Sequence, residues 1–153
     1  LPEIPEEAWH KIMDTNVLSA LWFGQQTLPD MIARGGGAFI VVSSIGSIRP
    51  SPVIGAYGIS QAAVNQLVRC LAVEWGQHNI RVNAILPGLV KTDFAKALWD
   101  SPEGRERIRT RFPIARVGEP DDIGPLAVYL ASAAASWTTG QTFVIDGGNS
   151  IVL

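Results

Sequence analysis

From Glu6 onward, apolar residues return every three or four positions: Trp9, Ile12, Met13, Val17, Ala20, Phe23 and Leu28. That period lays a stripe along one face of an amphipathic helix. Pro5-Glu6-Glu7 supplies a proline-led, acidic start, and Gly35-Gly36-Gly37 supplies the stop. The run Ala38–Val42 is apolar at every position and predicts a strand buried on both faces of a parallel sheet. A polar loop follows, with Gly46, Pro50, Pro52 and Gly55, and then a second long helix striped by Tyr57, Val64, Leu67, Val68, Leu71 and Trp75. Residues 80–86 read as a second strand, ended by Pro87-Gly88. The stretch from Lys91 to Pro113 is more charged and less regular, a candidate lid or substrate loop. Gly118-Glu119-Pro120-Asp121-Asp122 opens a third helix, with proline and acids in its first turn. Its apolar face is Ile123, Leu126, Ala127 and Leu130, and residues 142–146 form the last strand before Gly147-Gly148.

The order α-β-α-β-loop-α-β predicts an α/β fold: a parallel sheet joined by right-handed crossovers and covered by helices. A length of 153 residues fits one domain, and 47% hydrophobic residues are enough for a sizeable core. No repeat, low-complexity tract or charge block divides it. Twelve Lys plus Arg against fourteen Asp plus Glu give no basic excess, so nucleic acid is not an expected partner. Two histidines and one cysteine exclude a disulfide framework and a Cys- or His-built metal cage, and Cys70 is expected to be a small buried hydrophobe. No apolar run approaches the ~20 residues of a membrane helix, and no secretory signal opens the chain. The expected setting is soluble and cytoplasmic. Because the chain begins Leu1-Pro2 and runs straight into a helix, it is expected to be part of something longer.

Several familiar motifs fail on position. Gly35-Gly36-Gly37 precedes a strand, whereas a dinucleotide fingerprint follows one and opens a helix. Gly58-Ile59-Ser60-Gln61-Ala62 lacks the second glycine of a nucleophile elbow. The informative group lies between the first strand and the second helix. Ser43-Ser44 falls at the strand's C-terminal end, where open α/β sheets build sites. Tyr57 falls in the first turn of the next helix and Gln61 four residues on, on the same face and ~6 Å along the axis. A serine hydroxyl, a tyrosine phenol and a ribose-binding group meeting in one crevice can polarise a carbonyl and deliver a proton to it.

These motifs resemble the C-terminal part of a short-chain dehydrogenase/reductase, whose signature is a serine followed thirteen residues later by Tyr-x-x-x-Lys. Ser44 and Tyr57 have that spacing. Asn16 falls where the family places its fourth catalytic residue. Asn83 and Pro87-Gly88-Leu89-Val90-Lys91-Thr92 are similar to its post-strand motif, which holds the nicotinamide carboxamide. Thr139-Gly140-Gln141 through Asp146-Gly147-Gly148 resembles its last strand, and Phe94 followed by Leu98-Trp99 is close to the NADPH-dependent carbonyl/retinol reductases. The resemblance implies a Rossmann-like doubly wound sheet with helices on both faces. It also implies a reaction, hydride transfer between nicotinamide and a small carbonyl or alcohol substrate. In that scheme Tyr57 is the acid/base, Ser44 polarises the carbonyl, Asn16 holds a relay water and position 61 contacts ribose. Pro87, Gly88, Val90 and Thr92 join Tyr57 and Gln61 on the cofactor side. The implied cofactor is NAD(P), with the choice between NAD and NADP set outside these residues. The implied partner is a second copy of the chain, in a dimer or tetramer built through the two long helices.

Two departures from the family pattern bear on activity. Nothing in Leu1–Leu153 corresponds to the N-terminal glycine-rich turn that captures pyrophosphate, so the whole stretch reads as the catalytic and substrate portion without the cofactor-binding portion. These residues alone are therefore expected to bind dinucleotide weakly. The lysine of Tyr-x-x-x-Lys is Gln61, which can hydrogen-bond ribose but carries no charge to favour the phenolate. The rival reading is a catalytically inactive fragment or pseudoenzyme that serves as an oligomerisation or binding module. Residue by residue, simpler roles compete as well. Asn16 also fits a buried amide bonded to backbone, Gln61 an ordinary helix residue, and Arg105–Arg111 a solvated helix face.

Overall fold

The structure, a computed structural model, describes residues 1–152. The first apolar stripe becomes α1 (Glu6–Met13) and α2 (Ser19–Ala33), joined without a break by a π-helical turn over Asp14–Leu18. Gly35 and Gly36 then take φ of 81° and 143°, a backbone that side-chain-bearing residues rarely adopt, and the helix ends there. Strand β1 (Gly37–Val42) leads through a polar loop to α3 (Gly55–Trp75), and β2 (Ile80–Pro87) follows. Two short helices, α4 (Lys96–Trp99) and α5 (Pro102–Arg111), precede α6 (Pro120–Ala131) and β3 (Thr142–Ile145).

The sheet is parallel with strand order β1-β2-β3, Gly37 level with Ile80 and Ala84 level with Thr142. Strand β2 alternates between two cores. Val82, Ala84 and Leu86 pack with Phe39, Val68, Leu71 and Trp75 beneath α2 and α3, while Ile85 packs with Leu130 beneath α6. All residues from Val82 to Leu86 are buried, so β2 is the strand enclosed on both faces. Strand β1 is not: Phe39 is buried but Val42 is 63% exposed, because β1 lies at the edge of the described sheet.

Two further expectations need correction. The Lys91–Pro113 stretch is more regular than its charge implied. Ser101 caps α5 through a 2.9 Å bond from the Gly104 amide, Pro102 opens it, and Gly104 and Ile108 are buried beneath its solvated arginines. Cys70 is exposed, since the inner face of α3 is filled by Val68, Leu71, Ala72 and Trp75 and position 70 falls off it. Among the described residues no helix is long and apolar enough to cross a membrane.

Candidate functional site

The ladder between β1 and β2 continues one residue past β1, where the Ser43 amide donates to the Ile85 carbonyl at 2.8 Å. Ser43 is buried, and its hydroxyl donates to the Gln61 carbonyl at 3.3 Å. Ser44 caps a 3₁₀ turn, Ile45–Ser47, its Oγ accepting from the Gly46 amide at 3.0 Å. The turn is pinned to α3 twice. Asn65 Nδ2 donates to Ser47 Oγ at 2.8 Å, and Gly58 lies so close to Gly46 that a Cβ at 58 would stand 2.7 Å from the Gly46 carbonyl oxygen. A Cβ on Gly46 would stand 3.4 Å from Ser44 Oγ and 3.4 Å from Tyr57 Cε1, so the serine hydroxyl and the half-buried tyrosine ring both lie beside Gly46.

Asn16 reaches this group from the π-helical turn, a geometry that recurs where helices carry functional side chains. Its Nδ2 donates to Ser60 Oγ at 2.8 Å, and Ser60 Oγ donates to the Tyr57 carbonyl at 2.8 Å. Ser60 was not singled out by sequence reasoning, although its place between Tyr57 and Gln61 was a signal for it. Gln61 is 6% exposed, and among the described residues its buried Oε1 has no hydrogen-bond partner, nor has Asn65 Oδ1 one turn further along α3. A buried acceptor without a donor costs roughly 1–3 kcal/mol.

The motif after β2 occupies the corresponding end of the neighbouring strand. Gly88 donates to the Ile145 carbonyl at 2.9 Å, and a Cβ there would stand 2.6 Å from Asp146 Cβ, so only glycine fits between Pro87 and the end of β3. Val90 forms a parallel bridge with Gly118, secured by Gly118 N–H to Leu89 O at 2.9 Å and Lys91 N–H to Gly118 O at 2.8 Å. Thr92 is exposed. Its Oγ1 accepts from the Ala95 amide at 3.3 Å, and its carbonyl accepts from Trp99 Nε1 at 3.2 Å. Asn83 has a structural task instead, its buried amide donating to Thr138 O at 2.8 Å and accepting from the Gln141 amide at 3.0 Å. The structure thus joins Asn16, Ser44, Tyr57 and Gln61 into one cluster and sets Pro87, Gly88, Val90 and Thr92 beside it at the next strand end. Among the described residues no hydrogen bond links the two groups.

Beside the second group a cleft of about 150 Å³ is lined by Val90, Arg116, Asp122, Ile123 and Asp146. Arg116 grips Asp122 with two bonds of 2.7 and 2.8 Å. That guanidinium first, and the Glu119 amide second, hold the Asp122 carboxyl below the usual carboxylate range.

Comparison with known proteins identifies the family and the fold. The family described as enoyl-(acyl carrier protein) reductase matches residues 1–150. Dehydrogenase/reductase SDR family member 4 of Bos taurus is 40% identical over 149 residues, 97% of this chain and 53% of the relative. A gluconate 5-dehydrogenase from Burkholderia cenocepacia, solved with NADP and tartrate, superposes with a TM-score of 0.94 at 30% identity, over 99% of this chain and 60% of that one. A 7α-hydroxysteroid dehydrogenase complexed with NADH and 7-oxo glycochenodeoxycholic acid gives a TM-score of 0.91 at 35% identity, over 95% and 57%. The chain spans about half the length of the curated relatives it matches. With a family match across nearly all its residues, this chain belongs to the short-chain dehydrogenase/reductase family.

Proposed function

We propose that these residues form the catalytic and nicotinamide-side portion of an NAD(P)-dependent oxidoreductase that interconverts a small carbonyl compound and its alcohol. The observation that carries this reading is that Ser44 Oγ and the Tyr57 ring both lie beside Gly46, with Gln61 buried one turn beyond. When bound, the nicotinamide supplies or accepts the hydride. Ser44 donates a hydrogen bond to the substrate oxygen and stabilises the charge that develops there. The Tyr57 hydroxyl gives that oxygen its proton, or takes it back in the oxidative direction. Asn16, tied to α3 through Ser60, offers its remaining amide oxygen to a relay water. Gln61 contacts the ribose once its side-chain amide turns outward from its buried position. Pro87, Gly88, Val90 and Thr92 line the carboxamide side. The two solved relatives named above were complexed with different cofactors and chemically unlike ligands, so the fold alone fixes neither NAD against NADP nor the substrate.

In this reading the working unit is a homo-oligomer, dimer or tetramer, formed through the two long helices, whose exposed Trp22, Phe23, Ile59 and Val73 supply apolar contact area. The setting is the cytoplasm, which suits one free thiol. The uncharged side chain at position 61 favours a second reading, an inactive module kept for assembly or binding. Tyr57→Phe decides between them. In the complete protein, NAD(P)H-dependent carbonyl reduction falls by about 10²–10⁴-fold under the first reading. Activity that survives the substitution removes the proposed acid. A parent protein with no turnover of any carbonyl or alcohol supports the second reading.

A further inference from the structure

Three segments that shape the candidate site end on one short stretch, the turn after β3. Asp146 builds that turn: its Oδ1 accepts from the Gly148 amide at 2.9 Å and its Oδ2 from the Ser150 amide at 2.6 Å. Gly147 and Gly148 supply the positive φ, 62° and 84°, that the bend requires. The post-β2 motif touches it at Gly88, which bonds the Ile145 carbonyl and packs against Asp146. The segment leaving α5 touches it where Ile114 donates to the Gly147 carbonyl at 3.0 Å, and a Cβ on Gly148 would stand 2.7 Å from the Pro113 ring. The loop after β1 touches it through one side chain. Arg49 Nη1 donates both to the Asn149 backbone carbonyl and, at 2.8 Å, to Asn149 Oδ1.

We infer that Arg49 and Asp146 are positioning residues that lock the Ser44 loop, the Pro87–Thr92 motif and the α5 exit segment to one another through the turn they share. The physical reason is economy of contact. The β1–β2 ladder spaces the two segments at their roots, as far as the Ser43–Ile85 bond; beyond it, among the described residues, no hydrogen bond joins the Ser44 loop to the post-β2 motif, and the turn is what both grip. Asp146 fixes the shape of the turn, and Arg49 carries that shape back to the loop that bears Ser44. Charge-assisted bonds of this kind outweigh ordinary neutral ones. What these segments do rests on the function proposed above; the coupling between them does not.

Amide exchange in the purified protein, read residue by residue by NMR, tests the coupling without any turnover. Arg49→Ala is expected to speed exchange about tenfold or more at Gly148, Ser150 and Ile114, although Ile114 makes no contact with Arg49. Asp146→Ala is expected to do the same at Gly88 and Ile114 and, reciprocally, at Ile48 and Arg49. Asp146→Asn, which keeps the size and one acceptor, replaces it if the alanine variant does not fold. Arg49→Lys keeps a cationic donor and should restore part of the protection. If Arg49→Ala changes only residues 45–54, or the Asp146 variant only 146–151, the segments are independent and the inference fails. In a protein with confirmed activity, Arg49→Ala is expected to lower kcat about tenfold with KM changed less. Coupled exchange in a protein with no turnover leaves the lock intact and removes the proposed function instead.

Discussion

Gln61 is enclosed on α3 with a side-chain oxygen, Oε1, that no donor among the described residues meets, and Asn65 Oδ1 repeats the defect one turn away. Lysine at position 61 removes one of these bare acceptors, brings three donors to the helix face that carries the other, Asn65 Oδ1, and adds the charge that favours a phenolate. In the complete protein Gln61→Lys is therefore expected to raise carbonyl reduction at least ~10-fold, and Tyr57→Phe to abolish the gain. Equal rates with either residue from neutral to high pH would mean that another group does the lysine's work. Asp122 gives a residue-scale expectation about pH. Its carboxyl is held below the usual range in the folded chain by Arg116 and then by the Glu119 amide, so its contribution is complete above the unfolded carboxylate pKa of ~3.9. That contribution is lost only as pH falls through the depressed folded value. Melting curves should show Asp122→Ala lowering the midpoint by the same amount at pH 7 and pH 5, the gap closing only in stronger acid. A gap that closes near pH 6 contradicts this assignment.

At the scale of elements, Gly88 holds two strand ends together. A Cβ there would stand 2.8 Å from the Asp146 Cα, and backbone cannot give way as a flexible side chain can. Gly88→Ala is expected to cost about 1–3 kcal/mol in denaturant unfolding, and a neutral result would show that β2 and β3 part easily at this end. Much at this scale was legible beforehand. The apolar period located α1 with α2, α3 and α6, and the thirteen-residue step singled out Ser44 and Tyr57, whose side chains both lie near Gly46. What escaped was set by tertiary contact. Residues 14–18 look like ordinary helix, and nothing local announces the wider turn that aims Asn16 at Ser60. Arg49 and Asn149 lie 100 residues apart in two polar loops that share no pattern. The α5 helix was read in part, as a solvated face over Arg105–Arg111, and Ser101-Pro102-Glu103 was a readable start for it. Strand β1 was misjudged because apolar composition reports what a strand can bury, not which neighbours cover it.

Across the whole molecule, β1 pairs only with β2 and leaves a flank of backbone donors and acceptors unpaired within the described sheet, beside a well-exposed Val42. Such an edge recruits further strands. The 153-residue chain produced alone is expected to associate, and light scattering that shows a monomer at high concentration would contradict that. The strand order also bears on how the chain is made. Strands pair in the sequence in which they are synthesised, so each arrives at a free edge and none has to be threaded between two already joined. On a ribosome adding ~5–20 residues per second, the stretch from Val42 to Ile80 takes roughly 2–8 s to appear. Helices form in microseconds, so α2 is available to cover Phe39 long before β2 arrives. The free edge of β1 has to wait for β2, and that of β2 then waits for β3, and those seconds of synthesis are when a nascent-chain chaperone has most to protect.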